Sequence, residues 1–123
     1  MPTLLERIGN EKALTKVINR FYALMLDDDR ISFLFEGVSI ESLERKQVWF
    51  FTSLLVGDCD GTFSYMRSAH QHLVKSKGLN AGHFDASIEC LSEAMRISGV
   101  DKKSSEEILI TAQNLKPYVL GEK

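Results

Sequence analysis

Apolar residues return every three or four positions along most of the chain, the period of an amphipathic helix and not of a strand. The pattern is short at Leu4, Leu5 and Ile8 and breaks at Gly9-Asn10, a turn pair. From about Glu11 to Leu26 it is long, with Ala13, Leu14, Val17, Ile18, Phe21, Leu24 and Met25 on one face. Asp27-Asp28-Asp29 supplies turn chemistry at its end. Ile31 to Val38 is apolar and aromatic but short, so it predicts a tight corner with a single helical turn, closed by Gly37. A third helix is expected from near Ser39, with Ser39 as cap and Glu41 in the first turn. Its inward stripe is Leu43, Lys46, Gln47, Phe50 and Leu54.

Gly57 to Gly61 is expected to be a loop. Thr62 to Lys77 follows as a helix with Phe63, Met66, His70, Leu73 and Val74 on one side and Gly78 as C-cap. Asn80 to Ser98 is the next, ended by Gly99, with Phe84, Ile88, Leu91 and Met95 inward. A last helix starts at Asp101 or Ser104, buries Ile108, Leu109, Ala112 and Leu115, and is expected to stop near Pro117. Only Pro2 and Pro117 interrupt the backbone donors, which suits an all-α chain.

A length of 123 residues fits one domain over 1–123 with a core that needs no staples. Fifteen Lys and Arg against seventeen Asp and Glu give a net charge of −2, which argues against nucleic acid or an anionic membrane as the main partner. No apolar run approaches a membrane span, the first residues lack a signal-peptide pattern, and Cys59 and Cys90 suit a reducing compartment, so a cytoplasmic protein is expected.

Two polar anomalies lie on faces that should be buried. His70 sits among Met66, Leu73 and Val74. A lone histidine there is most often a core residue bonded to a backbone carbonyl; the sharper alternative is an iron or zinc ligand. Lys46-Gln47 interrupts the stripe of the third helix. Either Lys46 snorkels to the rim and Gln47 bonds a neighbouring helix, or both face a polar object inside an apolar pocket. Tyr22, beside Phe21, is a phenol that needs a partner if buried. Zinc fits poorly, because no Cys or His pair has ligand spacing and His70 and His72 face different ways. Neither cysteine has a basic or histidine setting in sequence, and no phosphate-binding glycine loop appears. One histidine facing aromatics and a few donors is what haem requires.

The chain resembles the first group of truncated hemoglobins over nearly its whole length. The resemblance lies in Phe21-Tyr22 with Leu26 to Ile31, in Gln47 with Phe50-Phe51-Thr52, and above all in Tyr65 to His70 running through Gly78-Leu79-Asn80 into His83 to Ala86. It implies a two-over-two helical sandwich around haem b with a reduced first helix. It makes His70 the proximal iron ligand and Tyr22 and Gln47 the distal pair that hydrogen-bonds dioxygen. Phe35 becomes the aromatic wedge at the corner, with Phe33 its neighbour. Phe50 and Leu54 line the distal side, and Leu43 is an apolar gate. Met66, Leu73, Leu79, Phe84 and Ile88 form the proximal floor, and Arg67 and His83 pair with propionates.

Some positions depart from the family pattern. Gly9-Asn10 and Gly57-Asp58 stand where the family often has two glycines; Asn and Asp tolerate similar backbone shapes, so the turns are expected to survive. Asn114 to Pro117 lacks the histidine through which some members bond the haem vinyl, so non-covalent haem is expected. Lys46 corresponds to a position that either pairs with a propionate or ligates iron, and the ion pair is the favoured role. The resemblance implies reversible binding of dioxygen, nitric oxide and carbon monoxide. The expected chemistry is nitric oxide dioxygenation or a modest peroxidase-like activity, fed by a reductase. The alternatives are oxygen storage or sensing without turnover, and a haem-free helical interaction module.

Overall fold

The computed structural model describes residues 3–55 and 62–122, without the side chains of 62–65. The expected loop at Gly57 to Gly61, the Gly57-Asp58 turn, Cys59 and the Phe63 side chain lie outside the described residues.

The described residues form α-helices and one 3-10 turn. The helices are α1 (Leu4–Ile8), α2 (Asn10–Leu26), α3 (Ile40–Leu55), α4 (Thr62–Lys77), α5 (Ala81–Ile97), α6 (Lys102–Gln113) and α7 (Lys116–Val119). Thr3 opens α1 with a reciprocal cap: Glu6 N donates to its hydroxyl at 3.2 Å while its own N–H donates to the Glu6 carboxylate at 3.1 Å. Gly9 then turns the chain at φ 111°, and Asn10 follows at φ 66°. The expected turn therefore survives with asparagine in the left-handed region. Asn80 and Asp101 cap α5 and α6 by accepting from His83 N and Ser104 N.

The last helical turn departs from the expectation. Pro117 does not end the last helix; it sits in the first turn of α7, where its missing N–H removes no intrahelical bond. That extra turn buries Val119 and packs α7 against α4.

α2 is the axis of the packing. It lies against both α3 and α5, and α5 lies against α6, so one helical pair is stacked on another. Ile18, Ile31, Phe50 and Met95 are fully buried at the centre. α4 stands to the side, held by α7 and α3. The expected inward stripe of α3 is corrected at one position: Lys46 is exposed, while Phe51 and Leu55 are buried with Phe50 and Leu54. An unpaired ammonium is far more costly to bury than an aromatic ring, so α3 rotates toward its Phe51 flank.

The corner after α2 is stapled by Asp28. Its carboxylate accepts from Arg30 N at 2.9 Å and from the Arg30 guanidinium at 3.0 and 2.7 Å. Arg30 reaches on to Glu89 of α5 at 3.0 Å. These contacts hold the 3-10 turn Ser32–Phe35 against the body of the fold. Hydrogen bonds from Arg30 lower the Asp28 carboxyl to about 2. A lowered carboxylate stabilises the fold fully above its unfolded value of about 3.9 and loses that contribution as pH falls toward the folded value. Wild type is expected to be more stable than Asp28→Asn near neutral pH, by about 1 kcal/mol since Arg30 is half exposed. Urea unfolding should show that margin shrinking as pH drops from about 4 to about 2. A margin that does not change with pH would contradict the staple.

Candidate functional site

α2, the 3-10 turn, α3, α4, α5 and the last two helices enclose a cavity of about 130 Å³. α2 contributes Phe21, Tyr22 and Met25 because these fall on successive turns of its buried face. Tyr22 is 2% exposed, and its ring meets Phe35 edge-on at 5.8 Å. The corner staple therefore has a direct consequence: it sets the 3-10 turn so that Phe35 enters the cavity wall.

His70 projects from α4 into this wall. Its Nδ1 lies 2.8 Å from the Met66 carbonyl one turn back. A carbonyl only accepts, so Nδ1 carries the proton and Nε2 keeps a lone pair. Burial pushes His70 below the ordinary histidine range, against an upward pull from the Met66 carbonyl, with His72 adding a smaller downward push. The ring is thus a neutral, oriented imidazole at physiological pH, the form that ligates metals.

Gln47 lines the same cavity from α3, and its Oε1 is buried without a hydrogen-bond partner among the described residues. Such an orphan costs about 1–3 kcal/mol, which a purely structural glutamine would relieve by finding a partner. A half-turn of the amide presents N–H in place of the oxygen, so Gln47 can donate to an acceptor in the cavity.

The rim is clasped between the corner and α4–α5. Lys77 Nζ donates to the Phe33 carbonyl at 3.0 Å, and Phe33 meets the His83 ring at 5.3 Å. His83 Nδ1 accepts from Asn80 N at 3.1 Å, which fixes its ring at the start of α5. No group of three or more His, Cys, Asp or Glu that could hold a bare metal ion occurs among the described residues.

Ten of the residues singled out in sequence meet at this cavity: Tyr22, Phe35, Gln47, Met66, His70, Leu73, Leu79, His83, Phe84 and Ile88. Phe33, Leu43, Lys46, Phe50, Leu54 and Arg67 are not in its wall. Phe33 backs His83, Phe50 and Leu54 are core residues, Leu43 is half-buried, and Lys46 and Arg67 are exposed. Phe51 stands in the wall where Phe50 was expected. The signal for it was present, since Phe51 follows Gln47 at the i+4 spacing of one helical face. Ala112, Leu115 and Val119 were also missed as wall residues; their shared face needs α7, which the reading of Pro117 as a stop concealed.

A family model for bacterial-like globins matches residues 3–120. Among curated relatives, the group 1 truncated hemoglobin of Synechocystis sp. is 35% identical over 112 residues, covering 91% of this chain and 90% of that protein. The group 1 truncated hemoglobin of Mycolicibacterium paratuberculosis is 32% identical over 117 residues, covering 95% and 83%. Among solved structures, the 2/2 hemoglobin of Synechococcus sp. PCC 7002, in the cyanomet state with covalently attached heme, superposes with a TM-score of 0.86 at 25% identity, covering 98% of this chain and 99% of that one. A point mutant of the truncated hemoglobin of Tetrahymena pyriformis, in its Fe(III) form, gives 0.84 at 27% identity, covering 97% and 98%. An oriented imidazole and an orphaned amide inside an all-helical two-over-two sandwich thus coincide with sequence likeness along the whole chain, and the chain belongs to the bacterial-like globin family, with the fold of the group 1 truncated hemoglobins.

Proposed function

We propose that this chain binds haem b through His70 and holds diatomic ligands beside Tyr22 and Gln47. The globin family implies haem-based binding of diatomic ligands. The observation that carries the reading is the meeting, in one apolar cavity, of a neutral His70 with its Nδ1 committed and a Gln47 amide without a partner. The donor set fits the group: one imidazole for iron, aromatic and aliphatic walls for a flat macrocycle, and an amide for what binds beyond it. When bound, the haem supplies reversible coordination of dioxygen, nitric oxide or carbon monoxide and one-electron chemistry on them.

The chain's own residues do the rest. His70 would hold the iron through its Nε2 lone pair, while the Met66 carbonyl holds the ring and raises its basicity. Tyr22 and Gln47 add polarity to a mostly apolar pocket, where each hydrogen bond to a charge-bearing ligand oxygen would be worth about 1.5–3 kcal/mol, or one to two decades in off-rate. The apolar walls exclude water, so those bonds keep their strength. The chain's histidines are His70, His72 and His83, with none in α6 or α7, which supports haem held without a bond to the polypeptide from those helices. Lys46, exposed on α3 beside Gln47, suits a partner for a propionate rather than an axial ligand. Arg67 and Leu43 stand outside the wall.

The proposed reaction is nitric oxide dioxygenation: nitric oxide, dioxygen and one electron give nitrate. The electron comes from a one-electron reductase protein.

Adding haem to purified wild type should give a Soret band that shifts on reduction and again under carbon monoxide. His70→Ala should weaken haem retention and alter those spectra; wild-type spectra in the variant would overturn the reading. Mixing the oxygenated protein with nitric oxide in stopped flow should yield nitrate in step with ferric conversion. Oxygen release without nitrate would favour storage or sensing. Gln47→Leu is expected to raise the stability of the haem-free protein by about 1–3 kcal/mol, since it removes an orphaned polar atom, while speeding dioxygen release by about tenfold or more. A less stable haem-free variant would show that Gln47 has a structural partner after all. Lys46→Ala should leave the ferric spectrum unchanged from acid to alkaline pH. A wild type that is low-spin at alkaline pH, turning high-spin only in the variant, would instead make Lys46 an iron ligand.

A further inference from the structure

Charge is distributed unevenly over the helices. Among the described helices of eight or more residues, α4 alone contains no Asp or Glu, and it carries Arg67, Lys75 and Lys77. The other residues hold 12 Lys and Arg against 17 Asp and Glu, a net of −5. α4 is thus net positive while the remainder of the chain is net negative. Lys77 is committed to the Phe33 carbonyl. Arg67 and Lys75 are exposed and have no carboxylate partner among the described residues. They mark the two ends of one solvent face, with Ser68, Gln71 and His72 exposed between them at helical spacing. The same helix holds His70, one residue from Gln71.

We infer that this face of α4 docks an acidic one-electron carrier protein, which delivers its electron across the helix that bears the axial imidazole. The inference rests on the haem reading of His70. The carrier loses one electron and ferric iron gains it; no bond is made or broken. Complementary charge steers such encounters and sets their orientation more than their lifetime, which suits a carrier that must leave after each delivery. The other anionic surfaces fit less well. A membrane-bound helix presents apolar residues to the acyl boundary, and the large exposed hydrophobic residues among those described are Leu26, Val38, Trp49, Ile97 and Ile110, none of them between residues 66 and 77 of α4. A nucleic acid would meet the net charge of −2 on the whole chain.

The test uses the haem-loaded full chain and a plant-type ferredoxin as the acidic probe. Titrating nitrogen-15-labelled protein with oxidised ferredoxin should move amide signals concentrated in residues 66–77. In stopped flow, reduction of the ferric protein by reduced ferredoxin should slow as salt rises from about 20 to about 300 mM, because exposed charges are screened. Ser68→Glu with Lys75→Glu should slow it on the order of tenfold at low salt, while Lys75→Arg keeps the wild-type rate. Reduction by dithionite should be equal in all three proteins. Amide shifts centred elsewhere, or equal ferredoxin rates in wild type and the double variant, would overturn the inference. So would binding of the α4 face to phosphatidylserine vesicles with no response to ferredoxin. Failure of the haem reading would appear separately as no Soret band after haem addition, and the amide titration still reports on the face in that case.

Discussion

The hydrogen bond from His70 Nδ1 to the Met66 carbonyl, 2.8 Å across one turn of α4, determines what the cavity offers. It uses a backbone oxygen on the same helix, so it is made within α4 alone. It fixes the tautomer and leaves the other ring nitrogen as the group without a helical partner. Burial then keeps the ring neutral. A histidine that was merely satisfied in a core would show the same first bond. The difference lies in the setting, which here is the wall of a cavity that His70 shares with Gln47.

The rest of the fold can be understood as the means of delivering distant residues to that wall. Tyr22, Phe35, Gln47, His70 and Ile88 come from five different elements. A wall assembled from so many pieces is only as precise as its connections. The Asp28–Arg30–Glu89 chain of contacts ties the corner to α5, and the Lys77 bond to Phe33 ties it to α4. The first lies at the surface, where single ion pairs contribute little to global stability, and the second is a partly buried bond to a backbone carbonyl. Their effect is local: they set the one non-α element that carries Phe35.

The helices were legible because their apolar period is strong and their ends carry cap chemistry. α4 was read with its observed ends, and Gly9-Asn10, Asn80 and Asp101 all do at the termini what their residue types favour. Individual orientation was less legible. At roughly 100° per residue, Lys46 and Phe51 stand on opposite flanks of the stripe Leu43, Gln47, Phe50, Leu54. The period alone permits α3 to roll toward either. The roll is set by what α2 and α4 present to it, which is tertiary information. Pro117 failed for a different reason: the rule that proline stops a helix also allows it to start one, and the sequence does not separate the two without the turn at Asn114-Leu115 that precedes it. In the site, His70, Tyr22 and Gln47 were visible as polar interruptions of apolar faces, whereas Phe51, Leu115 and Val119 looked like any other core residue.

Gln47 shows how the site differs from the core it is built in. The buried residues around Ile18 and Phe50 are apolar, and a glutamine of that environment would be expected to bond across to another helix. Its oxygen does not. Rotating it toward solvent is open to a side chain on a half-buried position, yet the amide stays against the cavity. An apolar wall makes any partner that enters worth more than it would be in water, because the alternative is an unbonded amide. In the proposed function, the low polarity that makes Gln47 costly while alone is also what would make it selective for a ligand oxygen. On that reading the orphaned amide and the binding specificity have one origin, and a substitution that relieves the first removes the second.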